Sequence, residues 1–326
     1  MRAIVISAFG GPEVLTLTDL PDPRPAHDEV LIRVKAFGLN HAETYMRSGA
    51  WGEVAPVTGI ECAGVVQADP SGRLAEGTAV VALLGGMGRT RNGSYAELVT
   101  VPASNVVPIR SSLGWADLAA FPEVYATAWS ALHGNLALRP GETVLVRGAT
   151  SSLGQAAVNL ASDHGATVLA TTRDPDRAGL LKEIGADGVL LDDGRLAPQV
   201  RARGIEVDAV LDIVGNSALR DSLATVRPRG RVCQLGFLGG LAPVQDFAPL
   251  ADMPSGVQLS FFGSAFVLGT ADFPLAEVPF DAICRKVEDG TYRARPTRTF
   301  GFHDVVEAHR VMATGQALGK MVVTLD

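Results

Sequence analysis

Three cysteines in 326 residues are too few for a disulfide framework. Cys62, Cys233 and Cys284 lie far apart with no CxxC pair, which argues equally against a structural zinc knuckle. No apolar run is long enough to span a bilayer. The opening Met1-Arg2-Ala3-Ile4-Val5-Ile6 turns strand-like at once, without a charged-then-apolar leader. The expectation is therefore a soluble, unexported, cytoplasmic chain with no membrane partner. An excess of positive charge is also missing. The formal net charge is −7, which suits the counterion-release binding of nucleic acid poorly.

What is present is globular. Hydrophobic residues make up 47% and charged residues 19%, enough for sizeable cores and too apolar for intrinsic disorder. The length points to two domains, and neither an internal repeat nor a low-complexity tract is visible. The first third reads as β-structure, with apolar runs at Val30–Ala36, Ala63–Gln67 and Thr78–Leu83 separated by Gly, Pro and Asp clusters. From Val124 to Ala137 the apolar residues recur at helical spacing. Strand and helix then alternate. The strands are Thr143–Val146, Thr167–Thr171, Gly188–Leu191, Val207–Ile213, Arg231–Leu235 and Gln258–Phe262. The helices between them are Leu153–His164, Arg177–Ile184, Leu196–Arg203 and Ser217–Val226. That alternation implies a doubly wound parallel sheet. The tail carries a helix at His303–Thr314 and a strand at Lys320–Thr324, and Pro243 to Pro254 shows no clear pattern.

The strongest chemical signal is Arg147-Gly148-Ala149-Thr150-Ser151-Ser152-Leu153-Gly154, placed after a strand and opening a helix. A diphosphate needs amide hydrogens at a helix N-terminus with no side chain in the way. Gly148 allows the tight turn and Gly154 close helix-to-strand packing, while Ser151 stands where the middle glycine of the pattern is expected. Alone, the motif also fits an ordinary glycine-containing turn. The second strand of the sheet ends in Thr172-Arg173-Asp174-Pro175-Asp176-Arg177. An NAD site usually has an acid at that end and an NADP site an arginine. Arg173 and Arg177 suit a 2′-phosphate, which favours NADPH over NADH. Asp174 is read as a helix cap before Pro175, although it also fits a displaced ribose acid. The two arginines also fit plain solvated charges.

Over nearly its whole length the chain resembles the medium-chain dehydrogenase/reductase superfamily, and most of all its quinone oxidoreductase (zeta-crystallin-like) branch. The segments that carry the resemblance are Phe9-Gly10-Gly11-Pro12-Glu13-Val14-Leu15, Gly38-Leu39-Asn40-His41-Ala42-Glu43-Thr44-Tyr45-Met46-Arg47-Ser48-Gly49 and Gly93-Ser94-Tyr95-Ala96-Glu97. Thr127-Ala128-Trp129, Leu138–Val146 and Gly319-Lys320-Met321-Val322-Val323 add to it. The resemblance implies an α/β fold: a GroES-like, β-rich substrate or catalytic domain (1–123 and 265–326) and a Rossmann dinucleotide-binding domain (124–264). It implies cofactor contacts from Asn40, Thr127, Gly148, Ser151, Ser152, Leu153, Gly154, Thr172, Arg173, Arg177, Val214, Gly215, Leu235, Gly236, Phe262 and Lys320. Asn40 also fits a turn residue after a strand. Zinc members of the superfamily hold a catalytic metal, but the positions of two of its ligands carry Asn40 and Ile60 here, so no metal is expected.

Those expectations define a reaction. Without a metal, hydride transfer from NADPH needs an electrophile held in a dry site, and charge gathering on a carbonyl or quinone oxygen needs a donor. Tyr45 and Arg47 are the candidates, with Arg47 also fitting an ion pair to Glu43 one helical turn earlier. The expected partner is a small quinone or α,β-unsaturated carbonyl. Reduction of an enoyl thioester, with Arg89 and Arg91 in a basic patch, is a second reading, and a non-catalytic NADPH-binding protein a third. The glycine-rich segment Leu84–Gly93 is read as lining the substrate mouth or as an ordinary loop. The resemblance also implies a homodimer, with Gln258–Phe262 as the pairing edge.

Overall fold

The computed structural model describes residues 1–325. The chain divides into two compact units, Met1–Glu123 with Ala265–Asp326, and Val124–Ser264. No helix among the described residues is long and apolar enough to cross a membrane.

The first unit is built on the strand Glu29–Leu39. Val30, Ile32 and Val34 alternate inward and are buried, as a half-buried strand requires. This strand pairs antiparallel with Glu61–Ala68, Leu98–Pro102 and Met321–Thr324. The sheet continues to Ala79–Leu83 and Val106–Pro108 on one side. On the other it ends at Arg298–Gly301, a strand missed in the sequence, which lies parallel to Met321–Thr324. The helix Phe280–Glu288 was also missed. The core centres on Phe37, stacked on Tyr95 at 4.4 Å, and the Tyr95 hydroxyl meets His309 Nε2 at 3.0 Å.

The second unit is a six-stranded parallel sheet. Its spatial order is Gly188–Leu191, Thr167–Thr172, Thr143–Arg147, Ala209–Asp212, Arg231–Gln234 and Gln258–Phe261. The chain winds from Thr143–Arg147 to one edge, then returns to the strand on its other side. That reversal puts the switch point of a doubly wound sheet at the carboxyl end of Thr143–Arg147. The helix Ser152–Asp163 is buried continuously from Gly154 to Ala161, as its all-round apolar sequence requires. Gly165 and Gly185 follow helices with φ of 84° and 112°, the left-handed stops read in the sequence. The unpatterned stretch before Pro254 holds one short helix, Pro249–Asp252, tied by Arg220 to Asp252 at 2.8 Å.

Candidate functional site

The phosphate loop follows from Gly148 and Gly154. Gly148 has φ of 84°, which favours glycine. A Cβ on Gly154 would run into the Gly148 carbonyl oxygen and Ala149 Cα, so only glycine lets this helix start against the turn. Ser151 is the N-cap. Its hydroxyl donates to the Gly148 carbonyl at 2.8 Å and accepts from Gly154 N–H at 3.0 Å. The serine that replaces the middle glycine thus stiffens the loop from within. Ser152 and Leu153 are the first two residues of that helix, whose N–H groups have no intrahelical acceptor. The adjoining strand ends are equally tight. A Cβ on Gly215 would strike the Gly236 carbonyl, and one on Gly236 would strike Ile213. Gly215 and Gly236 therefore let these strand ends pack backbone on backbone, with Gly215 N–H fixed to Asp212 at 2.8 Å. Phe262 is buried one residue past the last strand and donates its N–H to the Gln234 carbonyl.

At the end of the second strand Thr172 is buried and Arg173 exposed. Asp174 caps the next turn by accepting from Asp176 N–H at 3.0 Å, the role read from the following proline. It also lies 3.3 Å from Arg177. Beside them stands a group that sequence reasoning missed. Arg147, 1% exposed, makes two parallel bonds to Asp192 at 2.8 and 2.9 Å and an ion pair to Asp221 at 2.9 Å. Burial opposes its charge, yet the bonds to Asp192 and the nearby acids hold its pKa above the usual arginine value.

In the first unit Asn40 ends the long strand and precedes the helix His41–Ser48. Glu43 reaches back to accept the Asn40 N–H, half of a capping box, and takes Ile60 N–H at 3.2 Å. The Asn40 carboxamide is held at both ends. Its oxygen accepts from Lys320 Nζ at 2.6 Å and its nitrogen donates to Glu61 at 2.9 Å. Lys320 also pairs with Glu61, whose other oxygen accepts Glu123 N–H at 2.9 Å. Burial pushes the Glu43 carboxyl up to about 8, against the pull of Lys320. Asn40, Glu43, Glu61 and Lys320 are thus one buried cluster that fixes the amide's orientation. Lys320 was legible only through the resemblance, and Glu61 was not singled out for this task.

Tyr45 is half-buried on the same helix, edge-on to the His41 ring at 5.0 Å, and burial raises its hydroxyl pKa. Arg47 departs from expectation. Its guanidinium is buried and donates to the Gly10 carbonyl rather than to Glu43, whose oxygens are taken by backbone amides. That is a tie within the fold, and it removes Arg47 as the partner of Glu43. Of the two arginines read as members of a basic patch, one meets an acid and the other does not. Arg91 pairs with Glu29, while Arg89 donates to the Ala265 carbonyl and stacks over Phe266 at 4.3 Å. Thr127 is buried in the helix Pro122–Ser130 of the second unit.

Metal chemistry finds no donor set. The side chain of Ile60 is aliphatic, the Glu61 carboxylate is occupied by Lys320, and burial pushes the Cys62 thiol up to about 12. Among the described residues no group of three or more His, Cys, Asp or Glu is placed to hold an ion.

Comparisons with known proteins agree with this architecture. Residues 26–111 match the family model of the alcohol dehydrogenase GroES-like domain, and residues 184–323 match that of the zinc-binding dehydrogenases. The quinone oxidoreductase of Mus musculus is 33% identical over 252 residues, covering 73% of this chain and 74% of that protein. A phenolphthiocerol/phthiocerol polyketide synthase of Mycobacterium tuberculosis is 30% identical over 329 residues of one of its polypeptides. That match takes in 96% of this chain, which spans only 14% of the synthase polypeptide. A mycobacterial protein solved in complex with NADPH superposes with a TM-score of 0.85 at 29% identity, with 99% of each chain covered. A GroES-like unit and a parallel-sheet unit of the Rossmann type, in one chain, define a medium-chain dehydrogenase/reductase. Within that superfamily the chain belongs to the zinc-independent quinone oxidoreductase branch, a family of oxidoreductases.

Proposed function

We propose that this protein uses NADPH to reduce a small quinone or α,β-unsaturated carbonyl, with the cofactor's diphosphate held by the unit 124–264. The observation that carries the reading is the bare-backbone cradle at the switch point. Gly148 supplies the left-handed turn, and Gly154, Gly215 and Gly236 let backbone pass so close to backbone that the helix start and the strand ends converge there, the setting a diphosphate needs. Exposed Arg173 at the next strand end, with Arg177 nearby, favours the 2′-phosphate and hence NADPH. The relative solved with NADPH supports the same cofactor.

NADPH, when bound, supplies the hydride. The chain's own residues do the rest. Asn40, locked by Lys320, Glu61 and Glu43, offers a fixed amide whose oxygen keeps a second lone pair for the carboxamide N–H of the cofactor. Tyr45 is the proposed donor to the oxygen on which charge develops. Its raised pKa keeps it protonated at neutral pH, which suits donation of a hydrogen bond better than transfer of a proton. The final proton then comes from solvent. The match to a polyketide synthase favours a second reading, reduction of an enoyl thioester. We further propose a homodimer paired through the exposed edge Gln258–Phe261.

The test is to follow nicotinamide absorbance with purified protein, NADPH and a panel of 1,2-naphthoquinone, a 2-alkenal and a crotonyl thioester. Oxidation with the first two supports the proposed function, and preference for the thioester supports the second reading. NADPH binding without turnover on any of them overturns both in favour of a non-catalytic binding protein.

A further inference from the structure

We infer that Arg147 sets the preference for NADPH over NADH, by sequestering a carboxylate that would otherwise face the 2′-phosphate. This rests on the NADPH reading above and concerns a residue that touches no cofactor, so Arg147 is a positioning residue.

The argument starts from strand register. Thr172 lies opposite Leu191 in the parallel pair, and Asp192 N–H donates to the Thr172 carbonyl at 2.7 Å. Asp192 is therefore the acid beside the strand end that carries Thr172 and Arg173. The acid that selects a ribose hydroxyl sits at the end of the second strand, and Asp192 follows the strand beside it, where a free carboxylate next to a phosphate dianion repels. Here it is turned away. Arg147 Nε and Nη2 grip both Asp192 oxygens, and Gly194 N–H adds a third bond at 3.0 Å. Arg147 leaves the neighbouring strand one residue before Gly148, so the same side chain that opens the phosphate loop clears the ribose end.

The guanidinium also serves the other side of the switch point. Its Nη1 donates to Ser222 Oγ at 3.0 Å and the Ala218 carbonyl at 3.1 Å, beside the ion pair to Asp221. Ser222 passes a bond of 2.6 Å to Asp212, the residue that fixes Gly215. Three carboxylates, Asp192, Asp212 and Asp221, thus share one cation at the edge of the sheet where an anionic cofactor binds. Burial pushes the Asp212 carboxyl up, against the opposing pull of Gly215 N–H, Ser222 and Arg147. A lysine offers a single point charge in place of the fork, and no neutral side chain can balance the acids.

A purely structural ion pair would make a different prediction. Its loss would weaken NADPH and NADH binding by the same factor, whereas loss of a charge shield weakens the cofactor with the extra phosphate more. The experiment measures dissociation constants for both cofactors by fluorescence titration of the full chain, with circular dichroism as the folding control. For Arg147→Met the ratio of NADH to NADPH dissociation constants is expected to fall about tenfold. Arg147→Met with Asp192→Asn should recover most of that ratio, and Asp192→Asn alone should keep or raise it. If Arg147→Met does not fold, Arg147→Gln, which keeps hydrogen bonds but no charge, carries the same expectation. Equal weakening of both cofactors, or no recovery in the double variant, overturns the inference and leaves the NADPH reading standing. A wild-type protein that prefers NADH ends the NADPH reading itself, before any variant is compared.

Discussion

At the scale of single residues, ionisable groups placed where water cannot reach them give opposite pH signatures. Burial pushes the Glu43 carboxyl from 4.5 up to about 8, so its protonated form is favoured in the fold. Its contribution to stability is intact below about pH 4.5 and lost as pH climbs through 8. Burial pulls His309 from 6.5 down to about 3, helped by the charge of Arg47, so the fold holds it neutral against Tyr95. Its contribution is intact above pH 6.5 and is lost as pH falls toward 3. Urea melts across that range should therefore show Glu43→Gln flattening the alkaline slope and His309→Gln the acid slope. A parent-like pH profile in either variant contradicts the assignment. Gly148 and Gly154 were legible in the sequence because each acts within one short turn, and Asn40 was legible through the resemblance. Arg147 was not, because its partner Asp192 lies 45 positions on and only the sheet brings the two together.

At the scale of elements, the helix Ser152–Asp163 and its approach to the turn decide the cofactor site. Gly154→Val should cost about 1–3 kcal/mol of stability through overpacking. It should also weaken NADPH binding by more than about tenfold, because the helix end must back away from the diphosphate. Calorimetry and a thermal melt measure the two effects, and unchanged affinity contradicts the close approach. The edge strand carries a second prediction. Phe261 is 56% exposed on a strand whose outer side pairs with nothing among the described residues. Phe261→Lys should convert a dimer to a monomer in sedimentation velocity, and a monomeric parent contradicts the pairing edge. The parallel strands of the second unit were readable from their buried β-branched runs. Arg298–Gly301 was not, since it is four residues long, largely exposed and without alternation. The helix Phe280–Glu288 does carry an inward face of Phe280, Ile283, Cys284 and Val287 at helical spacing, so its signal is present in the sequence, though only nine residues long.

At the scale of the whole molecule, the two units differ in how far the sequence reveals them. The alternation of strand and helix after Thr143 made the dinucleotide unit visible. The GroES-like unit was visible mainly through the resemblance, because β-rich sequence says little about which strands pair. Its cluster of Asn40, Glu43, Glu61 and Lys320 draws on chain segments as far apart as 280 positions, beyond the reach of any local pattern. Removal of Lys320 should be felt in chemistry more than in cofactor affinity if its main task is to orient Asn40. Lys320→Met is expected to lower kcat by about tenfold or more, with a smaller change in NADPH dissociation constant. Steady-state kinetics beside a binding titration separates the two, and an effect confined to affinity would reassign Lys320 to the cofactor alone.

The central claim is that the turn from Gly148 to Gly154 holds the diphosphate of NADPH. Calorimetric titration of the protein with NADPH tests it most directly. The account predicts one saturable site of micromolar or tighter affinity, corresponding to about −8 kcal/mol or better, and its loss in Gly154→Val. No heat of binding in the parent, or the same affinity in the variant, contradicts it.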